Sequence, residues 1–344
     1  MSPRSTKSRL LALVGVMAFA SSACATGDLE QNALDPQGPV ARQLDRLWDP
    51  VFFIAAVIFF LVNFLCIFVI VKYRAKSDDD APKQVHGNAR LEIAWTIAPA
   101  LILAFVGVFT VATIFDINQR ADADEVLEVE VIGHQWWFEY RYPSLDITTA
   151  NELHIPTGER VQLKLGAADV IHSFWPPKLA GKVDTIPGRT NYMQIEADKP
   201  GTYWGQCAEY CGLSHGYMRL RVVAHDAGSW DDWVSTNGSP APPARGADAQ
   251  AGEELFITKG CGGCHAVEGL EGAEGQVGPD LTHLYSRSWF AGASFELNDR
   301  NLRRWLRDPP AMKPMVPENN QGMPNLGLNE DEITKLIAYL ETLK

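Results

Sequence analysis

The sequence predicts a multidomain membrane protein built from a two-helix transmembrane hairpin, a β-sandwich or barrel domain and an all-α C-terminal domain. Three observations predict it. Val51 to Val71 and Ala94 to Phe115 carry no charged residue, and each reaches the ~20 residues that cross a bilayer core. From Glu125 the text changes to short apolar or alternating runs separated by Pro/Gly turns, the mark of strands. Past a stretch rich in Pro, Gly, Ala and Ser at 235–250, an amphipathic run from Ala251 to Thr258 and a helix start at Asn329 read as helical.

With 344 residues the chain is long enough for two modest folded domains besides the membrane elements. Its formal charge of -12, without a sustained Lys/Arg run, argues against a nucleic-acid partner and suits a basic protein partner. The cysteines fall as two loners, Cys24 and Cys66, and two tight pairs, Cys207/Cys211 and Cys261/Cys264. That grouping fits cofactor chemistry better than a disulfide framework.

The N-terminus has a secretory layout: Arg4, Lys7 and Arg9, an apolar run from Leu10 to Ala20, then small residues up to Cys24. Residues 1–23 are expected to be a signal peptide, with 24–50 an exported segment. Ser22-Ala23-Cys24 resembles a bacterial lipobox, which would make Cys24 a lipid-bearing first residue; Ala23-Cys24-Ala25 also reads as an ordinary cleavage site. The hairpin, 51–115, has Lys72, Arg74, Lys76, Lys83 and Arg90 in its loop, against Arg42, Arg46 and Arg120 on the outer flanks. The excess of positive charge places the loop in the cytoplasm and all that follows residue 116 on the far side. Glu92 stands where the second span enters from the cytoplasmic side. A carboxylate there serves proton traffic or favours the helix N-terminus.

The β domain, 120–234, begins with Val126, Glu128, Glu130 and Ile132 interleaved with Leu127, Val129 and Val131. Further runs at 160–165, 191–195 and 218–223 are parted by turns such as Pro187-Gly188 and Pro200-Gly201. Near its end stands Cys207-Ala-Glu-Tyr-Cys211-Gly-Leu-Ser-His215-Gly-Tyr-Met218, with His172 earlier in the chain. Two thiolates, two imidazoles and a thioether form a soft donor set that favours copper over hard cations. A disulfide or a structural zinc site are the plainer alternatives, but zinc leaves Met218 without a purpose. A mononuclear blue-copper site needs only one cysteine, so two suggest a pair of coppers bridged by sulfur. His134, His154 and His225 lie outside the pattern and are expected to make structural hydrogen bonds or sit on the surface.

In the C-terminal domain, 251–344, Cys261-Gly-Gly-Cys264-His265 is a c-haem attachment motif: two thiols add to the haem vinyl groups and the imidazole ligates iron. Gly278-Pro-Asp-Leu281 follows as in small cytochromes c. The sixth iron ligand is expected from Met312, Met315 or Met323. Met323, in Gly322-Met-Pro324 before the final helix, is the preferred choice. Trp289 and Trp305 either lie against the haem or belong to an ordinary aromatic core.

These motifs together resemble subunit II of haem-copper cytochrome oxidases of the caa3 type, including Glu92-Ile-Ala-Trp95-Thr-Ile-Ala-Pro99 and Gly133-His134-Gln135-Trp136-Trp137 in the hairpin and β domain. The resemblance implies a cupredoxin domain in which His172, Cys207, Cys211, His215 and Met218 hold a dinuclear copper centre, CuA, with the Glu209 carbonyl as a further ligand. It also implies that the Glu209 carboxylate reaches a magnesium ion, that Trp136 is an exposed aromatic accepting electrons from cytochrome c, and that Glu92 is the entrance to a proton channel. Partners implied are oxidase subunit I, which bears haem and CuB, subunit III, a cytochrome c or cytochrome bc reductase as donor, and lipid. The implied location is the bacterial plasma membrane with both cofactor domains outside. A CuA-using nitric oxide reductase subunit and a tethered copper protein acting alone are the rival readings.

Overall fold

The computed structural model describes residues 29–74, 84, 86–120, 126–319 and 321–344. The expected signal peptide, Cys24, and Lys76 and Lys83 of the hairpin loop lie outside the described residues.

Two long apolar helices come first in the chain, α1 (Pro39–Lys72) and α2 (Ala89–Ile117). At 34 residues α1 spans about 50 Å, well beyond the ~30 Å of a bilayer core. Its charge-free part begins only at Val51, so the first three turns, carrying Arg42, Asp45, Arg46 and Asp49, lie outside the apolar span. There Ala41 is buried against the β domain, its N–H donating to Leu179 O, and Arg42 pairs with Asp198. The described end of the segment expected to be exported thus docks on the following domain. Pro50 is accommodated inside α1. The first turn of α2 is capped reciprocally: Asn88 accepts from Leu91 N–H while Glu92 Oε1 accepts from Asn88 N–H.

The β domain is a sandwich of two five-stranded sheets. The first, in spatial order, holds β3 (Ile147–Ala150), β2 (Trp137–Tyr142), β1 (Leu127–His134), β5 (Val161–Ala167) and β8 (Asn191–Ile195). The second holds β4 (Glu152–Pro156), β10 (Arg219–His225), β9 (Gly201–Cys207), β6 (His172–Trp175) and β7 (Val183–Thr185). Alternate residues of β1, Val129 and Val131, point inward and are fully buried with Phe138, Tyr140, Leu163, Leu165, Phe174 and Val222. The first sheet pairs β1 with β5 in parallel and the second pairs β10 with β4 in parallel; the other pairings are antiparallel. A helix that the composition did not announce, α3 (Ala227–Asn237), closes the domain, capped by Asp226 and packed through Trp233 onto the core. It takes up the first residues of the expected linker.

The C-terminal domain is helical, with α4 (Ala247–Thr258), α5 (Asp299–Arg307), the single-turn α6 (Pro309–Met312) and α7 (Glu330–Leu340). A short hairpin of β11 (Trp289–Phe290) and β12 (Phe295–Glu296) interrupts it. Asn329 and Glu332 form a full capping box at the start of α7. Where α4 crosses α7, a Cβ on Gly252 would stand 2.0 Å from Lys335 O, so the close approach requires glycine. Phe256, Leu302, Leu306, Ile333, Leu336 and Tyr339 make a second core.

Candidate copper and haem sites

Strand geometry assembles the first site. β6 and β9 are antiparallel with Phe174 opposite Cys207, and β9 and β10 are antiparallel with Gln206 opposite Arg219. The start of β6, the end of β9 and the start of β10 therefore share one end of the sandwich. His172 opens β6, Cys207 closes β9, and Met218 immediately precedes β10. The loop between β9 and β10 returns Cys211 and His215 to the same point.

There Cys207 Sγ lies 3.7 Å from Cys211 Sγ and 3.2 Å from Glu209 O. Cys211 Sγ lies 3.5 Å from His215 Nδ1 and 3.8 Å from Met218 Sδ. The donor atoms of His172, Cys207 and Cys211 all fall within 4.8 Å of one another, and all three residues are buried. Every side chain expected of the copper set is thus gathered in one pocket, together with the Glu209 carbonyl. His172 Nε2 bonds Asp169 Oδ1 at 2.8 Å, while its Nδ1 is buried without a hydrogen-bond partner. A buried imidazole nitrogen with no partner is costly unless a ligand takes it, and the carboxylate behind it is the arrangement that orients metal-binding histidines. The soft donors fit a copper pair. The neighbouring Cys211 thiol pulls the Cys207 pKa down, and Cys207 in turn pushes Cys211 up, so the two sulfurs share a proton when no cation is near. Gly133 makes room for the ligand: a Cβ there would sit 2.7 Å from the His172 ring.

The second site is a cavity of ≈ 390 Å³ lined by Cys261, Cys264, His265 and Met323 of the helical domain and by Trp136 and Trp137 of the sandwich. Cys261 opens a 3-10 turn and both cysteines are free thiols. His265 Nδ1 stands 2.8 Å from Pro279 O, leaving Nε2 for a ligand. Burial holds the imidazole below its usual pKa, in the neutral form that binds metal. Met323 packs with the helical core, and its sulfur accepts from Trp305 Nε1 at 3.1 Å. Met315 also lines the cavity but packs against the sandwich core. The cavity, the paired thiols and the ring nitrogen fit a covalently held haem.

Trp136 requires a correction. An exposed aromatic was expected, yet Trp136 is 2% exposed. The helical domain covers it: Lys313 Nζ reaches its carbonyl, and a Cβ on Gly292 would meet the same oxygen at 2.5 Å. Its indole N–H donates to Cys211 O at 3.0 Å, so the side chain joins the haem cavity to the copper loop.

Glu92 caps α2 and is exposed, and Glu209 lies half-buried in the copper loop. His134 bonds Glu139 Oε2 at 2.8 Å, and His154 bonds His225 at 2.8 Å. Residues that sequence reasoning passed over hold the two domains together. Glu152, 2% exposed, accepts from Ser288 and Trp289 N–H groups. Arg221 lies 3.3 Å over the Trp204 ring and 4.6 Å over Trp289. His283 faces Ser239 O and Lys344 O at 2.7 and 2.8 Å, pinning the linker and the C-terminus. A single charged residue inside a strand or a loop carries no periodic signal that could have marked these.

A membrane hairpin carrying a sandwich with clustered soft donors and a domain with a covalent-haem cleft defines a membrane-anchored redox protein. Residues 28–113 match the transmembrane domain of cytochrome c oxidase subunit II, residues 144–225 its periplasmic domain, and residues 249–344 the cytochrome c family. The chain belongs to the cytochrome c oxidase subunit II family. It is 37% identical over 344 residues, 98% of either chain, to cytochrome c oxidase subunit 2 of Alkalihalophilus pseudofirmus. It is 32% identical over 353 residues, again 98% of either chain, to that of Bacillus subtilis. The crystallised periplasmic domain of subunit II from Bradyrhizobium japonicum matches at 29% identity with a TM-score of 0.33, over 35% of this chain and 96% of that one. The family is that of a cytochrome c oxidase subunit, and the matched domains imply copper, haem and a periplasmic side.

Proposed function

We propose that this chain is the electron-input subunit of a proton-pumping haem-copper oxidase, carrying electrons through its own haem c and CuA to the oxygen-reducing site of subunit I. The observation that carries the reading is that Trp136 lines the haem cavity while its indole bonds the Cys211 carbonyl. When bound, the haem and the copper pair each take up and release one electron. Cys261 and Cys264 attach the haem, and His265 and Met323 ligate its iron. His172, Cys207, Cys211, His215, Met218 and the Glu209 carbonyl hold the coppers. The protein's own work is to fix these ligands, exclude water and set the spacing.

Electrons from a cytochrome c or a cytochrome bc reductase enter at the haem domain, since that domain covers Trp136. They pass by Trp136 to the copper pair and then to subunit I, with subunit III completing the complex. The Glu209 carboxylate is the magnesium contact at the subunit I interface, and Glu92 the mouth of a proton path. Residues 1–23 are the signal peptide, Cys24 bears lipid, and both cofactor domains lie outside the plasma membrane.

The test is paramagnetic resonance with metal and haem analysis on the oxidised full chain within its purified oxidase. Copper hyperfine structure from one electron shared by two nuclei, with one covalent haem per chain, is expected. A mononuclear copper signal, or no copper in this subunit, would overturn the electron-entry reading.

A further inference from the structure

Lys313 is 3% exposed and sits at the seam between the two domains. Its ammonium donates to Trp136 O at 2.6 Å and to Ala291 O at 2.9 Å, and both acceptors are main-chain carbonyls. Charged side chains are rarely buried so fully unless something holds them there. Burial pulls its pKa down to about 7, and Cys211 opposes the shift.

The contact is one strand of a clamp. The next residue, Pro314, offers its carbonyl to the hydroxyl of Ser214 in the copper loop. Gly292 O accepts from Arg219 N–H at 2.8 Å, at the start of β10. Trp136, gripped by Lys313 through its carbonyl, donates through its indole to Cys211 O, which also accepts from Gln135 Nε2 at 2.8 Å. Lys313, Trp136 and Cys211 therefore form a continuous hydrogen-bonded link from the wall of the haem cleft to a copper-loop residue.

We propose that Lys313 is a positioning residue for electron transfer, holding the haem cleft at a fixed separation from the copper pair by gripping the Trp136 peptide. The inference rests on the proposed function. The step moves one electron: the haem iron is oxidised by one unit and the copper pair reduced by one, with no bond made or broken. Electronic coupling falls steeply as a through-space gap opens, so a small loss of registry at this seam is read as rate.

The experiment uses the intact oxidase with light-triggered reduction of the haem, following arrival of the electron at the copper pair. Lys313→Met keeps the unbranched stem, one atom shorter, and removes the donor; haem-to-copper transfer is expected to slow about tenfold or more. Copper content, the haem spectrum and direct reduction of the copper pair by a small soluble reductant should match the parent, a split that general unfolding would not produce. Gly292→Ala retains every polar group but places a carbon 2.7 Å from Lys313 Nζ, and should slow the same step. It decides the matter if Lys313→Met does not assemble. Parent rates in the variants that assemble would overturn the inference. Absence of a copper pair, or of any haem-to-copper transfer, in the parent would instead overturn the proposed function, and this inference with it.

Discussion

Glu152 Oε1 accepts the Trp289 main-chain N–H at 2.7 Å, tying a buried carboxylate of the sandwich to the backbone of the haem domain. Burial pushes this carboxyl up from 4.5 to about 7, against the pull of the Ser288 and Trp289 N–H groups and of Arg287 and Arg221. The folded protein thus holds the proton more tightly than the unfolded chain. Its contribution is complete below pH 4.5 and is lost as pH rises to about 7, by at most about 1.4 kcal/mol per pH unit. Relative to the parent, Glu152→Gln should gain thermal stability across that window and hold a constant difference above it. Melting curves of detergent-solubilised protein that stay parallel from pH 4.5 to 7 would refute this.

His154 acts with the opposite sign. Burial, with His225 beside it, holds its pKa well below the ordinary 6.5, so the unfolded chain takes a proton first. The stability it contributes is present above pH 6.5 and is lost as pH falls, again by at most about 1.4 kcal/mol per unit. His154→Gln should therefore close its stability deficit as the solution is acidified. The same pH series checks it, and a deficit that widens in acid would sink the idea.

Gly278 lies against the proximal face of the haem cleft, where a Cβ would stand 2.5 Å from His265 Cε1 and 2.8 Å from Nδ1. Gly278→Ala must push the imidazole off the Pro279 carbonyl. Covalent haem attachment through the cysteines should persist while the low-spin spectrum is lost or mixed with high-spin. An unchanged spectrum would show that the ring tolerates the added carbon.

Met323 and Met315 both line the cleft but belong to different cores. Met323→Leu should abolish methionine ligation, lower the haem potential and open the iron to carbon monoxide. Met315→Leu should leave ligation intact and cost about 1 kcal/mol in packing. Reversal of the two spectra would transfer the ligand role to Met315.

Much of this architecture was legible along the chain because it is local. Spans without charge, strand alternation at Leu127–His134, the Asn329 cap and the tight Cys/His spacings are set by neighbours a few residues apart, as are the hydrogen bonds and solvation that enforce them. The upward extension of α1 was not, since its polar turns are held by the β domain rather than by lipid. Nor was α3, whose weak composition is rescued by the packing of Trp233.

The sequence by itself determined which donor atoms are available and which cofactors suit them: two thiols, imidazoles and a thioether for copper, and paired cysteines with an adjacent histidine for haem. Only the tertiary structure decided how the two sites face each other. Trp136 is exposed or buried according to whether a domain more than a hundred residues distant lies upon it, and Lys313 is a surface cation or a seam residue by the same choice. Spacing along a chain specifies chemistry within one loop. The distance between two loops is set by the packing of the surfaces between them, here Glu152, Arg221, Gly292 and Lys313, whose partners are remote in sequence.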